Sequence, residues 1–331
     1  METKTTLTLQ DVKDARERIR PYIVHTPLLR VEDLDPVLGC RVYLKPEMLQ
    51  VTGAFKARGA FNKILTLSEE DRKHGIIFSS SGNHAAACAY AGSVLGVEAY
   101  AVMPRDTPKA KVENCTKHGG HAILWDRNYP SRLKKVADEM KEHGYVLAHG
   151  FEDYMVMAGQ GTIALEILED EPQIRTVITP IGGGGLISGV STAIKETDPS
   201  IRVIGVQAAA SCGYYLSRLN GRPARMESLA TIADGINSPG TSKNPYPIIE
   251  KYVDEIVPVG EADIAEAVRL IGQYAHLVAE PTSAVVVAAL LSGRIKTDPD
   301  EKVACVLTSG NYDIDLIGRF YKGEEVEGTV E

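Results

Sequence analysis

A lysine at a loop-to-helix junction is the residue of this sequence best suited to covalent chemistry. Lys56 follows the aromatic Phe55 at the start of an apolar stretch. Gly53 and Gly59 flank it and leave room for a planar ligand. Burial and a neighbouring cation, here Arg58, both lower the pKa of an ammonium group, and the free amine can then form a Schiff base. The alternative is a solvated lysine that begins a helix, and only the other motifs of the chain can decide between the two.

Two further loops follow predicted strands, where ligands collect in open α/β sheets. Residues 79–84 read Ser-Ser-Ser-Gly-Asn-His and precede an alanine-rich stretch that predicts a helix. Free backbone N–H groups at a helix start favour an anion, so this loop predicts a site for a carboxylate. The alternative is structural, with Asn83 capping its helix and His84 packing nearby.

The second loop carries four consecutive glycines between a predicted strand and a predicted helix, namely Gly182, Gly183, Gly184 and Gly185. Without side chains, successive backbone N–H groups can converge on a phosphate at the helix N-terminus, which we favour over a flexible turn. The spacing is neither a dinucleotide-binding Gly-x-Gly-x-x-Gly nor a Walker loop, which disfavours a dinucleotide-binding module. A third loop, 307–311, offers hydroxyl groups that could hydrogen-bond a ring nitrogen, although an ordinary turn explains it equally well.

The elements that must position these loops alternate between helices and strands, as is typical of parallel sheets with crossover helices. The patterns predict strands at 40–44, 76–78, 97–103, 122–125, 176–180, 203–207 and 303–307. They predict helices at 9–20, 56–65, 83–95, 108–118, 131–143, 161–169, 186–195, 261–276 and 282–291, with a last one near Asp315. Residues 211–247 are rich in Gly, Pro, Ser and Asn, which predicts a long irregular segment. We expect an α/β protein with a small domain at 75–150 and a large domain from 1–74 and 151–331.

Composition and charge narrow the class of protein. The chain has 331 residues, 44% of them hydrophobic, which indicates a soluble globular protein. Its formal net charge of −8 argues against nucleic acid or an anionic membrane as the main partner. No apolar run approaches the ~20 residues of a spanning helix, and the N-terminus is unlike a signal peptide. Five cysteines without paired spacing predict reduced thiols in the cytoplasm.

The motifs together resemble those of the fold-type II pyridoxal phosphate enzymes, specifically the threonine/serine dehydratase and serine racemase family. They cover nearly the whole chain, at 26–28, 52–56, 80–84, 158–162, 182–185, 233–235, 280–282 and 309–311. The resemblance implies a two-domain fold of mostly parallel open sheets flanked by helices. It also implies pyridoxal 5′-phosphate bound between the domains, and a small domain that closes on substrate.

The resemblance assigns roles residue by residue. It implies that Lys56 binds the cofactor as a Schiff base and that Phe55 packs against the cofactor ring. Asn83 would bond the ring hydroxyl, and Thr308 would face the pyridine nitrogen. The phosphate would be held by Gly182, Gly183, Gly184, Gly185 and Leu186. The substrate would be held by Ser80, Ser81, Gly82, Asn83, His84, Arg132 and Ser238.

The implied reaction is α,β-elimination of water from L-threonine or L-serine, which yields a 2-oxo acid and ammonia. Lys56 would remove the Cα proton. Three residues, Ser81, Arg132 and Ser238, match serine racemase positions, and Lys56 with Ser81 would then act on opposite faces. Racemisation is therefore an alternative, and threo-3-hydroxyaspartate ammonia-lyase is another. Arg132, His149 and the loop around 151 are the candidates for selecting the substrate.

Other positions bear on ligands and assembly. Gln207 and Gly213 stand where the racemase has carboxylates for a divalent cation, so we expect no metal site. Only a charged tail, 322–331, follows the last predicted helix, so we expect a short catabolic form without the regulatory domain of biosynthetic threonine dehydratases. The family forms homodimers or homotetramers, and we expect one of these.

Overall fold

The structure is a computed structural model that describes residues 6–227, 230–238 and 240–328. Ten strands lie within these residues. They are β1 (Leu29–Arg30), β2 (Arg41–Pro46), β3 (Ile76–Ser79), β4 (Ala99–Pro104), β5 (His121–Trp125), β6 (Val146–Leu147), β7 (Thr176–Pro180), β8 (Arg202–Ala208), β9 (Glu255–Val259) and β10 (Lys302–Leu307).

The strands form two separate sheets. The larger sheet has the order β1-β2-β10-β7-β8-β9 and is parallel except for β1, which runs antiparallel to β2. The smaller sheet has the order β5-β4-β3-β6 and is parallel throughout. Parallel strands need crossover helices on the sheet faces, and all five residues of β7 are buried accordingly. The predicted α/β fold of parallel sheets flanked by helices is confirmed.

Fourteen α-helices connect and cover the strands of the described chain. They are α1 (Leu9–Ile19), α2 (Asp35–Leu38), α3 (Lys56–Leu65), α4 (Glu69–His74), α5 (Asn83–Leu95), α6 (Lys109–Thr116), α7 (Tyr129–His143), α8 (Tyr154–Asp170), α9 (Gly185–Thr197), α10 (Gly213–Asn220), α11 (Pro245–Tyr252), α12 (Glu261–Leu270), α13 (Pro281–Leu291) and α14 (Ile314–Lys322). Within the described residues, no helix is long and apolar enough to cross a membrane.

Helix α3 packs between α5 and α8. Its residues Ala60 and Phe61 belong to the same apolar core as Ala85 and Ala89 of α5, which covers the smaller sheet. On another side, α3 contacts α8 so closely that a Cβ at Gly159 would lie 2.5 Å from the carbonyl oxygen of Arg58. The strands of the smaller sheet all fall within the predicted small domain, although the domain boundaries themselves stay a prediction.

Two predicted segments differ most from the structure, the strand β9 was not predicted, and the helix predicted at 261–276 ends at Leu270. The prediction of an irregular segment at 211–247 is wrong, because it contains α10 and the start of α11, while residues 228, 229 and 239 lie outside the described residues. Helix α8 begins seven residues earlier than predicted, where the carboxylate of Asp153 caps it by accepting hydrogen bonds from Met155 and Val156. Gly161 lies inside α8 and serves close packing, since a Cβ there would lie 2.7 Å from the Gly189 carbonyl oxygen.

Candidate active site

A cavity of about 570 Å³ lies where strands of both sheets end. Residues after β3, β7 and β10 form its walls, as expected from the carboxyl ends of parallel strands. Every site residue predicted from the sequence lines this cavity: Phe55, Lys56, Ser80, Ser81, Gly82, Asn83, His84, Arg132, Gly182, Gly183, Gly184, Gly185, Leu186, Ser238 and Thr308. The structure therefore brings the predicted residues together, while their individual roles stay predictions.

Lys56 is the first residue of α3 and is half-buried in the cavity wall. Its Nζ donates to the carbonyl oxygen of Gly150 at 3.1 Å and lies 4.9 Å from the centre of the Phe55 ring. Burial lowers the pKa of this ammonium group to about 8, because the charged form loses its hydration. The free amine is therefore accessible near neutral pH.

The expected contribution of Arg58 to this pKa is wrong. Residues two apart on a helix face different directions, and the Arg58 side chain is fully buried away from the cavity. Its guanidinium binds Glu47 through Nε at 2.7 Å and Glu166 through a terminal nitrogen at 2.6 Å. Two carboxylates thus neutralise it, and burial by itself lowers the pKa of Lys56.

The ion pairs of Arg58 belong to a buried cluster of four charges: Lys45, Glu47, Arg58 and Glu166. Lys45 donates to Glu166 at 2.7 Å, so the two cations and two carboxylates balance. Thr26 donates to Glu47 at 2.6 Å. The cluster ties α3 to β2 and α8, and so fixes the helix that carries Lys56.

The tetraglycine loop leaves no space for side chains. Gly184 adopts a left-handed conformation with φ 92°, and a Cβ there would lie 2.6 Å from the Tyr214 hydroxyl. A Cβ at Gly183 would overlap the ring of Phe151, and one at Gly185 would lie 2.8 Å from the Phe151 Cα. The 13-residue helix α9 begins directly after this turn. Backbone N–H groups and the positive end of the helix dipole therefore face the cavity as an anion cradle.

The loop before α5 does not match the purely structural alternative, in which Asn83 would cap its helix. Asn83 is the first residue of the helix and does not cap it, because its amide bonds Glu280 and Asn311 instead. His84 is buried, with Nε2 2.8 Å from the carbonyl oxygen of Ala148. Burial, reinforced by the charge of Lys56, lowers the pKa of His84 to about 3, so it is neutral. An anion at this loop would depend on backbone N–H groups and small hydroxyls.

The loop after β10 forms a hydroxyl network. Thr308 is buried, and its Oγ1 lies 3.0 Å from the hydroxyl of Ser283. The hydroxyl of Ser309 donates to Glu280. Burial raises the pKa of Glu280 to about 7, although the hydrogen bond from Ser309 acts in the opposite direction. Glu280 lines the cavity, but its motif at 280–282 predicted no role for it. The available signal was a lone carboxylate before a largely apolar helix.

Two predicted substrate residues have protein partners. Arg132 of α7 donates through Nε to the Ser79 hydroxyl at 3.2 Å and stacks over the Tyr129 ring. The Ser238 hydroxyl donates to the carbonyl oxygen of Gly240 at 3.4 Å.

A salt bridge that the sequence did not predict lies at the cavity wall. Lys111 on α6 lies 3.4 Å from Asp234, the first residue of a short 3-10 helix (Asp234–Ile236). Both residues line the cavity, but an exposed lysine on a predicted helix gives no sequence signal.

Gln207, one of the two residues from which we expected no metal site, makes a contact within the protein. Gln207 accepts from the backbone N–H of Tyr215 at 3.0 Å and so holds α10. Among the residues that the structure describes, no group of three His, Cys, Asp or Glu side chains is arranged for a metal ion.

Comparison with known proteins identifies the class. Residues 19–309 match the family of pyridoxal-phosphate dependent enzymes. An L-threonine ammonia-lyase of Thermotoga maritima is 42% identical over 314 residues, which are 95% of this chain and 78% of that protein. A serine racemase of Arabidopsis thaliana is 36% identical over 318 residues, 95% and 96% of the two chains. The chain therefore belongs to the pyridoxal-phosphate dependent enzymes, and pyridoxal phosphate is its cofactor.

Solved structures place it in the same group. A threonine deaminase of T.th. has a TM-score of 0.87 and 39% identity, with 92% of this chain and 99% of that one covered. The serine racemase of Dictyostelium discoideum has a TM-score of 0.88 and 35% identity, with 93% and 99% covered. The predicted fold-type II family is confirmed.

The cavity residues fit this cofactor. Lys56 offers an amine of low pKa for the aldehyde, and the glycine turn offers a cradle for the phosphate. The hydroxyl of Thr308 and the amide of Asn83 line the same cavity, where they would be available to the ring nitrogen and the ring hydroxyl.

Capture of pyridoxal phosphate by the cofactor-free protein should become faster as the pH rises through about 8. The free amine of Lys56 is the reactive form, and its fraction rises through that pKa instead of the ordinary lysine value of 10.5. Stopped-flow absorbance between pH 6 and 11 measures the rate. A rate that keeps rising to a midpoint near 10.5 would show that Lys56 is solvated.

Replacing Gly183 with alanine should weaken binding of pyridoxal phosphate at least about tenfold, because the added methyl group pushes Phe151 or the turn out of place. Equilibrium binding of the cofactor to the purified variant measures the change. Gly318→Ala is the matched control, since a Cβ there meets nothing within 4 Å. Unchanged cofactor affinity in Gly183→Ala would refute the cradle.

Proposed function

We propose that this protein is a threonine/serine ammonia-lyase. It eliminates water from L-threonine or L-serine, and a water molecule then hydrolyses the resulting imine to a 2-oxo acid and ammonia. The observation that carries the proposal is the low-pKa amine of Lys56 in one cavity with the tetraglycine cradle and the neutral hydroxyl of Thr308. The names of the relatives support it, since proteins called L-threonine ammonia-lyase are 39–42% identical to this chain.

Pyridoxal phosphate, when bound, withdraws electrons from Cα of the attached amino acid and so makes the Cα proton acidic. The amine of Lys56 is placed to accept that proton, because its pKa of about 8 lies close to physiological pH. Backbone N–H groups of 80–84, at the start of α5, hold the substrate carboxylate, and the side-chain amide of Asn83 would bond the ring hydroxyl of the cofactor. Thr308 carries no charge, so it provides a hydrogen bond without stabilising a positive ring nitrogen, which favours departure of the β-hydroxyl group.

The experiment is a substrate panel with the purified protein and added pyridoxal phosphate. L-threonine and L-serine should give stoichiometric 2-oxo acid and ammonia, and the visible absorbance band of the cofactor on Lys56 should disappear on borohydride reduction. Release of neither product from either amino acid refutes the proposed function.

Serine racemisation is the second candidate, favoured by the presence of Ser81 with Lys56 in the cavity and by the racemase relatives. If Ser81 returns a proton to Cα, Ser81→Ala should lower D-serine formation at least about a hundredfold. Chiral chromatography after incubation with L-serine measures it, with 2-oxo acid release in the same sample as the control. Absence of D-serine with the unaltered protein would exclude this candidate.

Hydroxyaspartate is the alternative substrate, supported by three cations in the cavity wall: Lys111, Arg127 and Arg132. A second substrate carboxylate would pair with such a cation, whereas the methyl group of threonine would not. Within the substrate panel, Arg132→Leu should then reduce the rate with threo-3-hydroxyaspartate far more than the rate with L-threonine.

We further propose that the protein forms a homodimer or a homotetramer, and light scattering would measure its mass in solution. The five cysteines are free and buried, which suits a reducing cytoplasm. Residues 75–150 would act as the small domain that closes over substrate, with Lys111 and Asp234 pairing across the cavity in the closed state.

A further inference from the structure

The side-chain amide of Asn83 has two different ends. It can present an N–H donor or an oxygen acceptor to a ligand, depending on a rotation of about 180°. Asn83 begins α5 and lines the cavity, and the proposed function gives it the ring hydroxyl of the cofactor. Which end faces the cavity therefore decides whether the amide donates to that hydroxyl oxygen.

Asn311, in the loop after β10, determines the direction of this amide. Its Nδ2 lies 2.7 Å from the carbonyl oxygen of Thr52 and 2.9 Å from Oδ1 of Asn83. A carbonyl oxygen can only accept, so Asn311 must turn its NH₂ group toward Thr52. The same NH₂ group then meets Asn83, which must offer its oxygen. The NH₂ group of Asn83 consequently points the other way, toward Glu280 at 3.3 Å and the cavity.

The backbone before Lys56 is shaped to hold Asn311. Thr52 adopts φ 63°, a left-handed conformation that is rare for a β-branched residue. Gly53 follows with φ 68°, and a Cβ there would lie 2.6 Å from Oδ1 of Asn311. The carbonyl of Gly53 also accepts from the N–H of Gly310 at 3.2 Å. An uncommon turn thus brings an acceptor to Asn311 and leaves room for its side chain.

We propose that Asn311 is a positioning residue that orients the amide of Asn83, so that an N–H group and not an oxygen faces the cofactor's ring hydroxyl. The inference rests on the proposed function, which makes Asn83 a cofactor ligand. Asn311 lies in the loop after β10 and contacts both the turn before Lys56 and the start of α5. It therefore aligns the turn before Lys56 with α5, the helix that covers the smaller sheet.

Asn311→Asp tests this directly, because a carboxylate has nearly the same shape but only accepts hydrogen bonds. The Asn83 amide should then rotate to donate to the new carboxylate and turn its oxygen to the cavity. We expect the Kd for pyridoxal phosphate to rise about tenfold, as for one lost hydrogen bond, and the cofactor absorbance maximum to shift. Asn220→Asp, an exposed change outside the cavity, should alter neither.

A double-mutant cycle separates orientation from general damage. If Asn311 acts through Asn83, then Asn311→Asp should cause no further change in Kd or spectrum within Asn83→Ala. Asn311→Ala, which removes the donor without adding charge, should weaken cofactor binding less than Asn311→Asp. An unchanged Kd in Asn311→Asp, or an equal effect in the Asn83→Ala background, overturns the inference. The proposed function fails separately, if the unaltered protein binds the cofactor but releases no 2-oxo acid.

Discussion

Replacing Lys56 with alanine is expected to lower the turnover of L-threonine at least about a thousandfold. The substitution removes the amine that attaches the cofactor and the base that accepts the Cα proton. Burial, which lowers the pKa of Lys56 to about 8, makes this amine competent in both tasks. The release of 2-oxo acid measures turnover, and the cofactor absorbance shows whether a Schiff base still forms.

Two variants make the result interpretable. Lys134→Ala removes an exposed lysine of α7 that does not line the cavity, so it should keep full activity. Lys56→Arg keeps a positive charge but cannot form a Schiff base, so it should be as inactive as Lys56→Ala. If Lys56→Ala kept even a tenth of the activity with its thermal stability unchanged, Lys56 would not be the catalytic lysine.

The second large effect is on stability. Arg58→Met should lower the free energy of unfolding by about 3–5 kcal/mol, because Glu47 and Glu166 remain buried without their common cation. The melting temperature of the cofactor-free protein should fall by roughly 5 °C. Calorimetry measures the loss, and the cofactor-free form keeps cofactor binding from obscuring it.

A charge-balanced variant tests the physical reason. Arg58→Met together with Glu47→Gln leaves Lys45 paired with Glu166, so the cluster is neutral again. If the uncompensated charge causes the damage, the double variant should be more stable than Arg58→Met by itself. If the double variant is less stable than either single one, packing and not charge explains the role of Arg58.

The cluster also connects stability with function. Arg58 is two residues after Lys56, and its partners lie next to β2 and on α8. The arginine of the lysine motif therefore anchors the helix, while the lysine faces the cavity. This arrangement explains why the motifs at 26–28 and 158–162 accompany the lysine motif, since Thr26 and Thr162 both contact the cluster.

Local features were predictable from the sequence. The bounds of α3 and α5 and the strand β7 agree with the predictions, because apolar periodicity and glycine turns act over a few residues. The order of motifs predicted the family and its cofactor, and the glycine run predicted an anion cradle. The helices, the strand and the glycine run are each local signals of at most 13 consecutive residues, and the order of motifs can be read along the chain without knowing any contact.

Contacts between distant segments were decided only by the tertiary structure. Arg58 was expected to act on Lys56, yet its partner Glu166 lies 108 residues away and removes that influence. Asn311 orients Asn83 across 228 residues, and Glu280 joins the cavity through a loop whose sequence resembles an ordinary helix start. The sequence by itself determined which chemistry is present. The packing of the two sheets determined which charges are neutralised and which atoms face the cofactor, because burial and hydrogen-bond direction depend on neighbours from other segments.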